Sequence, residues 1–213
     1  MIELWVALVF AASPVEPAPG SLLFLEHSNK AVERFTEGEI SHVAIVLQEQ
    51  GETVVYEATP PRVRKVGWNS YLVELARLNQ GRDDPIAPHL AAPDRPWTAA
   101  ELELMRAMGE VHLGQPYSVK GHLRDKAAEG VHCAEFATMC LQTAERFPDE
   151  PAYRMTPQSL CDRTQEFYRP AEEVSLADIV VPETGWRESA RWRWSGYWNW
   201  CKWSCWESWG MCW

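Results

Sequence analysis

Apolar positions along this chain follow two rhythms, one of strands and one of helices. Gly20-Ser21-Leu22-Leu23-Phe24-Leu25 is a near-continuous apolar run of strand length and reads as a buried strand. Ser28 is placed to cap a short helix running to Phe35, with Gly38 as its stop. His42 to Gln48 and Thr53 to Ala58 flank Glu49-Gln50-Gly51-Glu52, which is a hairpin signal. A turn centred on Gln50-Gly51 sets Ile45 opposite Tyr56 and Leu47 opposite Val54. Val43, Ile45 and Leu47 then share an apolar face with Val54, Tyr56 and Ala58, while His42, Ala44, Val55 and Glu57 share the other. A one-residue slip would move Glu57 into the apolar set, so the pattern itself selects this register.

Beyond the hairpin, Val63 to Val66 is extended after Pro60-Pro61, and residues 79–96, rich in Asp, Pro and Gly, read as a surface loop. Thr98 with Glu101 forms a capping box, and Leu102, Met105 and Met108 continue a helical face toward Gly114. A second helix begins near Cys133, where Phe136, Ala137, Cys140, Leu141 and Ala144 make one stripe before Pro148. Thr156-Pro157 starts a last helix, since proline fits the first helical position. Val174 to Val181 offers one more strand.

Both ends depart from this pattern. Residues 1–19 combine an apolar core, Leu4 to Ala12, with the stiff stretch Pro14-Val15-Glu16-Pro17-Ala18-Pro19. They read as an export signal and linker, although Glu3 stands where such signals carry positive charge. Export to a periplasmic or extracellular site is the expectation, with a cytoplasmic enzyme as the alternative. From Trp186 onward lie nine of the twelve tryptophans and three of the six cysteines. They form neither a narrow helical stripe nor a clean alternation, so residues 183–213 are expected to be a poorly ordered tail. The catalytic domain is expected over 20–182.

At 213 residues and 46% apolar, the chain can bury one substantial core. Its formal charge of −10 argues against nucleic acid or an anionic membrane surface as a partner. No apolar run reaches the roughly 18 residues that a membrane span requires. Six cysteines in a chain this long are not a disulfide framework, and Cys140 and Cys161 read as small buried hydrophobes.

Cys133 differs, because it stands at a helix start. A free thiol has a pKa of ~8.5, which a helix N-terminus and an imidazolium lower by several units. His42 opens a strand, and Glu57 is its diagonal neighbour in the inferred register, within reach of long side chains. A carboxylate beside a histidine holds its tautomer and stabilises its charged form. Taken singly, each residue has an ordinary structural explanation; the combination points to thiol catalysis. A zinc site built from His42, Glu57, His122, His132 and Cys133 is the weaker reading, because the close ligand pairs usual for zinc are missing and His132 is expected to point away from its neighbour. No cofactor is expected. Nucleotide-binding and serine-hydrolase motifs are also missing.

These stretches, together with Gly114-Gln115-Pro116-Tyr117-Ser118, Cys133-Ala134-Glu135-Phe136 and Thr156-Pro157, resemble the permuted papain-like hydrolases of the YaeF/YiiX type within the NlpC-like superfamily. The resemblance runs in the family's order over roughly 20–182. It implies an α+β, circularly permuted papain-like fold, with an antiparallel sheet or partial barrel packed against the helix that carries the nucleophilic cysteine. The permutation accounts for a histidine strand that precedes the cysteine. The resemblance also implies Cys133 as nucleophile, His42 as base and Glu57 as orienting residue. Ser21 and Ser118 stand where the family often has acidic residues, and Ala134 replaces the usual small hydroxyl residue. The expected activity is cleavage of an amide or ester through an acyl-enzyme on Cys133, with a peptidoglycan-type peptide, another amide or an acyl lipid as substrate. The alternatives are a non-catalytic binding module and an acyltransferase to a non-water acceptor.

Overall fold

A buried hairpin with a defined register needs partners on both edges and cover on both faces, and the computed structural model supplies them. It describes residues 16–36 and 38–182. Most of the export-signal reading and the tryptophan-rich tail lie outside the described residues. In chain order the elements are β1 (Ser21–Glu26), α1 (Lys30–Thr36), β2 (Ile40–Glu49), β3 (Glu52–Thr59), β4 (Arg62–Gly67), α2 (Trp68–Asn79), β5 (Ala87–Ala91), α3 (Ala99–His112), α4 (Lys120–Arg124), α5 (Cys133–Thr143), a 3-10 turn (Ala152–Arg154), α6 (Pro157–Thr164) and β6 (Glu172–Glu173). The strands form one sheet in the order β4-β3-β2-β1-β5-β6, antiparallel at every pairing. The fold class is therefore α+β.

The β2–β3 hairpin pairs Ile45 with Tyr56 and Leu47 with Val54, as the turn chemistry predicts. Gln50 and Gly51 both have positive φ, 53° and 87°, the geometry whose twist matches the flanking strands. Val43, Ile45, Leu47, Val54, Tyr56 and Ala58 pack into one core with Met105 of α3, Phe136, Cys140 and Leu141 of α5 and Leu160 of α6. Leu23, Ala44, Val46 and Val55 pack on the opposite face against Trp68, Tyr71, Leu72 and Leu75 of α2. β1 is paired on both edges and covered on both faces, which is why Leu22 to Leu25 show no alternation.

Several expectations need correcting. Residues 79–96 are not all surface loop: β5 forms there as an interior strand, its signal weakened by its brevity and by Pro88. Val174 to Val181 is not a strand; pairing is confined to Glu172 and Glu173, and Val174 instead seals the second core. Asn29 rather than Ser28 caps α1, its Oδ1 accepting from the Val32 amide at 3.4 Å, because Ser28 is engaged by Ser41. The capping box at Thr98 forms as expected, and α6 starts at Thr156-Pro157 as expected, with a capping box to Ser159 besides. Among the described residues no helix is long and apolar enough to cross a membrane.

The lead-in to α5 is tied to the sheet. Tyr117 bridges Val131 in parallel and Pro116 bridges Arg62. The Tyr117 amide donates to Pro61 O at 3.0 Å, and the Val131 amide to Pro116 O at 3.1 Å. These bonds hold the backbone two residues upstream of Cys133 against the β3–β4 turn. Gly130 makes the approach possible: its φ is +86°, and a Cβ there would lie 2.7 Å from Pro116 O. Gly130→Ala should therefore cost about 1–3 kcal/mol, from left-handed backbone and overpacking together. Urea denaturation checks this, and an unchanged midpoint would refute the tight approach.

Candidate active site

His42 enters the site from an irregular part of β2. The β1–β2 register slips between Leu25 and Glu26, which face His42 and Ile40, so Ser41 is an extra residue, as in a β-bulge. Its hydroxyl donates to Leu25 O at 3.2 Å and accepts from the Ser28 and Asn29 amides at 3.0 and 3.2 Å. The bulge is thus locked to the loop before α1, and His42 is held at the end of the sheet where β2 begins and β3 ends.

Glu57 lies diagonally across the hairpin and is 2% exposed. A carboxylate only accepts hydrogen bonds, so the bond at 2.6 Å requires a proton on His42 Nε2, which donates to Glu57 Oε2. Tyr71 O–H donates to the same oxygen at 2.9 Å, and Arg64 Nε–H donates to Oε1 at 2.7 Å. Arg64 sits directly opposite Glu57 in the β3–β4 ladder. Its terminal nitrogens clamp Glu74 of α2 at 3.1 and 2.8 Å. Burial alone would raise the Glu57 pKa; the hydrogen bond and charge of His42, with the guanidinium of Arg64, outweigh it and hold the group down at about 2.

Cys133 is the first residue of α5 and is 3% exposed. Its thiol is close enough to two imidazoles, His42 and His132, to feel their charge. With Nε2 of His42 committed to Glu57, Nδ1 is the nitrogen left for sulfur. Burial pushes the Cys133 thiol up, but the charge of His42 and the bonds from His132 and His42 pull it below the ordinary thiol range. Burial pushes His42 down, and the charge and hydrogen bond of Cys133, with those of Glu57, drive it well above the ordinary imidazole range. Cys140, two turns along the same helix, shows the contrast. It has burial without such partners, and its thiol is pushed up to about 12.

His132 has both ring nitrogens engaged with partners other than the thiol, the Glu135 amide and the Tyr153 carbonyl. It is the N-cap of α5: Nδ1 accepts from the Glu135 amide at 3.3 Å, and Glu135 Oε2 accepts from the His132 amide at 3.4 Å. Arg64, Tyr71 and Glu74 also escaped the sequence reading. The signal for Arg64 was present, because a tight turn at Pro60-Pro61 sets it opposite Glu57. The signal for Tyr71 was the helical stripe Trp68, Tyr71, Leu72, Leu75 and Ala76.

A cavity of about 230 Å³ opens beside His42 and Glu57, with Tyr117, Leu25, Leu75 and Ile86 in its walls. Tyr117 thus both bridges the lead-in to α5 and lines this cavity. The residues that replace family carboxylates serve the backbone: Ser21 Oγ donates to Ala18 O at 2.7 Å, and Ser118 Oγ accepts from the Lys120 amide at 3.2 Å. Ala134 packs wholly in the core. His122 is not at the thiol; its Nδ1–H donates to Tyr153 O at 3.1 Å.

No protein-family model matches the chain, and no curated protein matches it. A crystal structure described as the metalloprotein yiiX from Escherichia coli O157:H7 superposes with a TM-score of 0.52 at 14% identity, covering 76% of this chain and 98% of that one. The metal belongs to the description of that protein. Among the described residues here, no group of three or more His, Cys, Asp or Glu side chains is placed to hold an ion. Near Cys133, His42 Nε2 is taken by Glu57, and the His132 nitrogens by the Glu135 amide and the Tyr153 carbonyl, so the site does not fit a metal as it stands. At this identity the likeness concerns the fold alone: this chain has a YiiX-like α+β fold.

Proposed function

We propose that this chain is a thiol hydrolase on a circularly permuted papain-like scaffold, cleaving an amide or ester through an acyl-enzyme on Cys133. One observation carries the reading: His42, held at 2.6 Å by the buried Glu57 carboxylate, interacts electrostatically with the buried thiol of Cys133 at the head of α5. Burying three ionisable groups costs stability unless they are paired.

In this mechanism the Cys133 thiolate attacks the substrate carbonyl carbon. Amides in the first turn of α5, which a helix leaves without intrahelical acceptors, are the donors for the developing oxyanion. The imidazolium of His42 gives its Nδ1 proton to the leaving amine or alcohol as the carbon–heteroatom bond breaks, leaving a thioester. Neutral His42 then takes a proton from water, the hydroxide attacks the thioester, and the acid departs as the thiolate is restored. Glu57 keeps the ring oriented throughout and stabilises its charged form. Peptidoglycan-type peptides, other amides and acyl lipids are the substrate classes to screen.

Cys133→Ala should abolish turnover of an amide or ester substrate while leaving the thermal transition in place. Full activity in that variant would refute the acyl-enzyme. Glu57→Gln should lower kcat by about 10²–10⁴-fold, since the charged ring loses its partner. It should also draw in the alkaline limb of the pH–rate profile, because His42 then gives up its proton at lower pH. Stability supplies an independent check. Glu57 is held at about 2 against an ordinary 4.5, so its contribution is complete above pH 4.5 and is lost as pH falls from there toward about 2. Acid titration of Glu57→Gln should lack that component, and identical acid limbs in the two proteins would contradict the pairing.

A further inference from the structure

We propose that the cavity beside His42 holds the leaving half of the substrate, and that this half is an uncharged, straight aliphatic group. This rests on Cys133 and His42 acting as nucleophile and acid, and it names the class of alcohol or amine that is released.

The apolar walls of the cavity come from separate parts of the chain. Leu75 and Leu78 lie on one face of α2, continuing the stripe that Tyr71 begins. The other apolar walls are Leu25 near the end of β1, Val32 of α1, Ile86 before β5 and Val119 before α4. Leu25, Leu75 and Ile86 are buried, whereas Leu78 is 40% exposed and marks the side open to solvent. A methylene takes up about as much room as a water, roughly 30 Å³, so the cavity of about 230 Å³ holds a chain of about seven carbons.

The polar walls are matched to one another or to backbone. Glu57 is bonded to His42, Tyr71 and Arg64, and the rest of the Arg64 guanidinium clamps Glu74. The Ser28 and Ser41 hydroxyls share a hydrogen bond at 2.8 Å, and Ser41 also accepts from the Ser28 and Asn29 amides. Arg82 donates to the Asp84 and His27 carbonyls. A leaving group with an ammonium would meet Arg64 and Arg82, and one with a carboxylate would meet Glu57 and Glu74. Either would have to displace a bond that the wall already makes. An aliphatic chain asks for no such exchange and gains by leaving water.

The position of the cavity selects which half of the substrate it receives. His42, Glu57 and Tyr117 line it, and Cys133 does not. In the acyl-transfer step Cys133 Sγ bonds to the carbonyl carbon, the carbon–oxygen or carbon–nitrogen bond breaks, and the Nδ1 proton of His42 passes to the heteroatom. That heteroatom must therefore lie against His42, and the group it carries continues into the space beside the ring. The acyl half stays with the sulfur.

The test is hydrolysis by the full chain of two ester series, both read as acid released: acetates of straight-chain alcohols from methanol to decanol, and methyl esters of the straight-chain acids. Along the acetate series kcat/KM should rise about three- to fourfold per methylene and level off near about seven carbons, while the acid series stays flat. The gain should appear in KM rather than kcat, because a remote chain binds alike in the ground and transition states. Leu78→Trp narrows the open side and should bring the levelling point to shorter chains; an unmoved point overturns the placement. A rise along the acid series, or turnover without length dependence in either series, overturns this proposal alone. Turnover in neither series overturns it together with the acyl-enzyme reading. Should Leu78→Trp fail to fold, inhibition of the parent protein by free heptanol decides: inhibition no stronger than that by ethanol overturns the proposal.

Discussion

A carboxylate buried between a sheet and a helix costs several kcal/mol unless its oxygens are matched by donors, and Glu57 is matched on all sides. The match requires three separate pieces of geometry. The β2–β3 register must bring His42 to the diagonal position, the β3–β4 ladder must set Arg64 directly opposite, and α2 must dock so that Tyr71 reaches Oε2 and Glu74 neutralises the rest of the guanidinium. A slip in any of them would strand a buried charge. One ionised group thus couples the hairpin, its neighbouring strand and a helix on one face of the sheet.

The thiol arrives from the other side. α5 packs in the core that contains Ile45 and Tyr56, whereas His42 belongs by alternation to the set that faces α2. The two meet only where the sheet ends. The β1–β2 slip at Ser41 holds His42 there, and the bridge of Tyr117 to Val131 delivers the first turn of α5 to the same place. The two helices never need to touch, because the end of the hairpin carries the link between them.

The protonation of each of these two groups depends on the other in this arrangement. Sulfur and imidazole are both buried, and burial opposes charge on each. Each nevertheless favours charge on the other, and Glu57 breaks the symmetry by anchoring the positive partner. The rest of α5 behaves as an ordinary core helix, as Cys140 shows.

Local chemistry made much of this legible in the amino-acid order. Gln50-Gly51 specified the hairpin and its register, hence the proximity of Glu57 to His42, because turn geometry and side-chain alternation act over a few residues. Thr98 with Glu101, and Thr156 with Pro157, marked helix starts for the same reason, and Cys133 was recognisable at the head of an apolar stripe. The tertiary structure alone decided that β5 would be recruited between β1 and β6, since five residues containing a proline make a strand only when neighbours supply the hydrogen bonds. It alone set the His132 ring between the Glu135 amide and the Tyr153 carbonyl, because a cap's direction depends on a partner contributed from far along the chain. The meeting of Cys133 with His42 likewise depended on a bulge and a bridge that position backbone in space, and no spacing along the chain encodes such a distance.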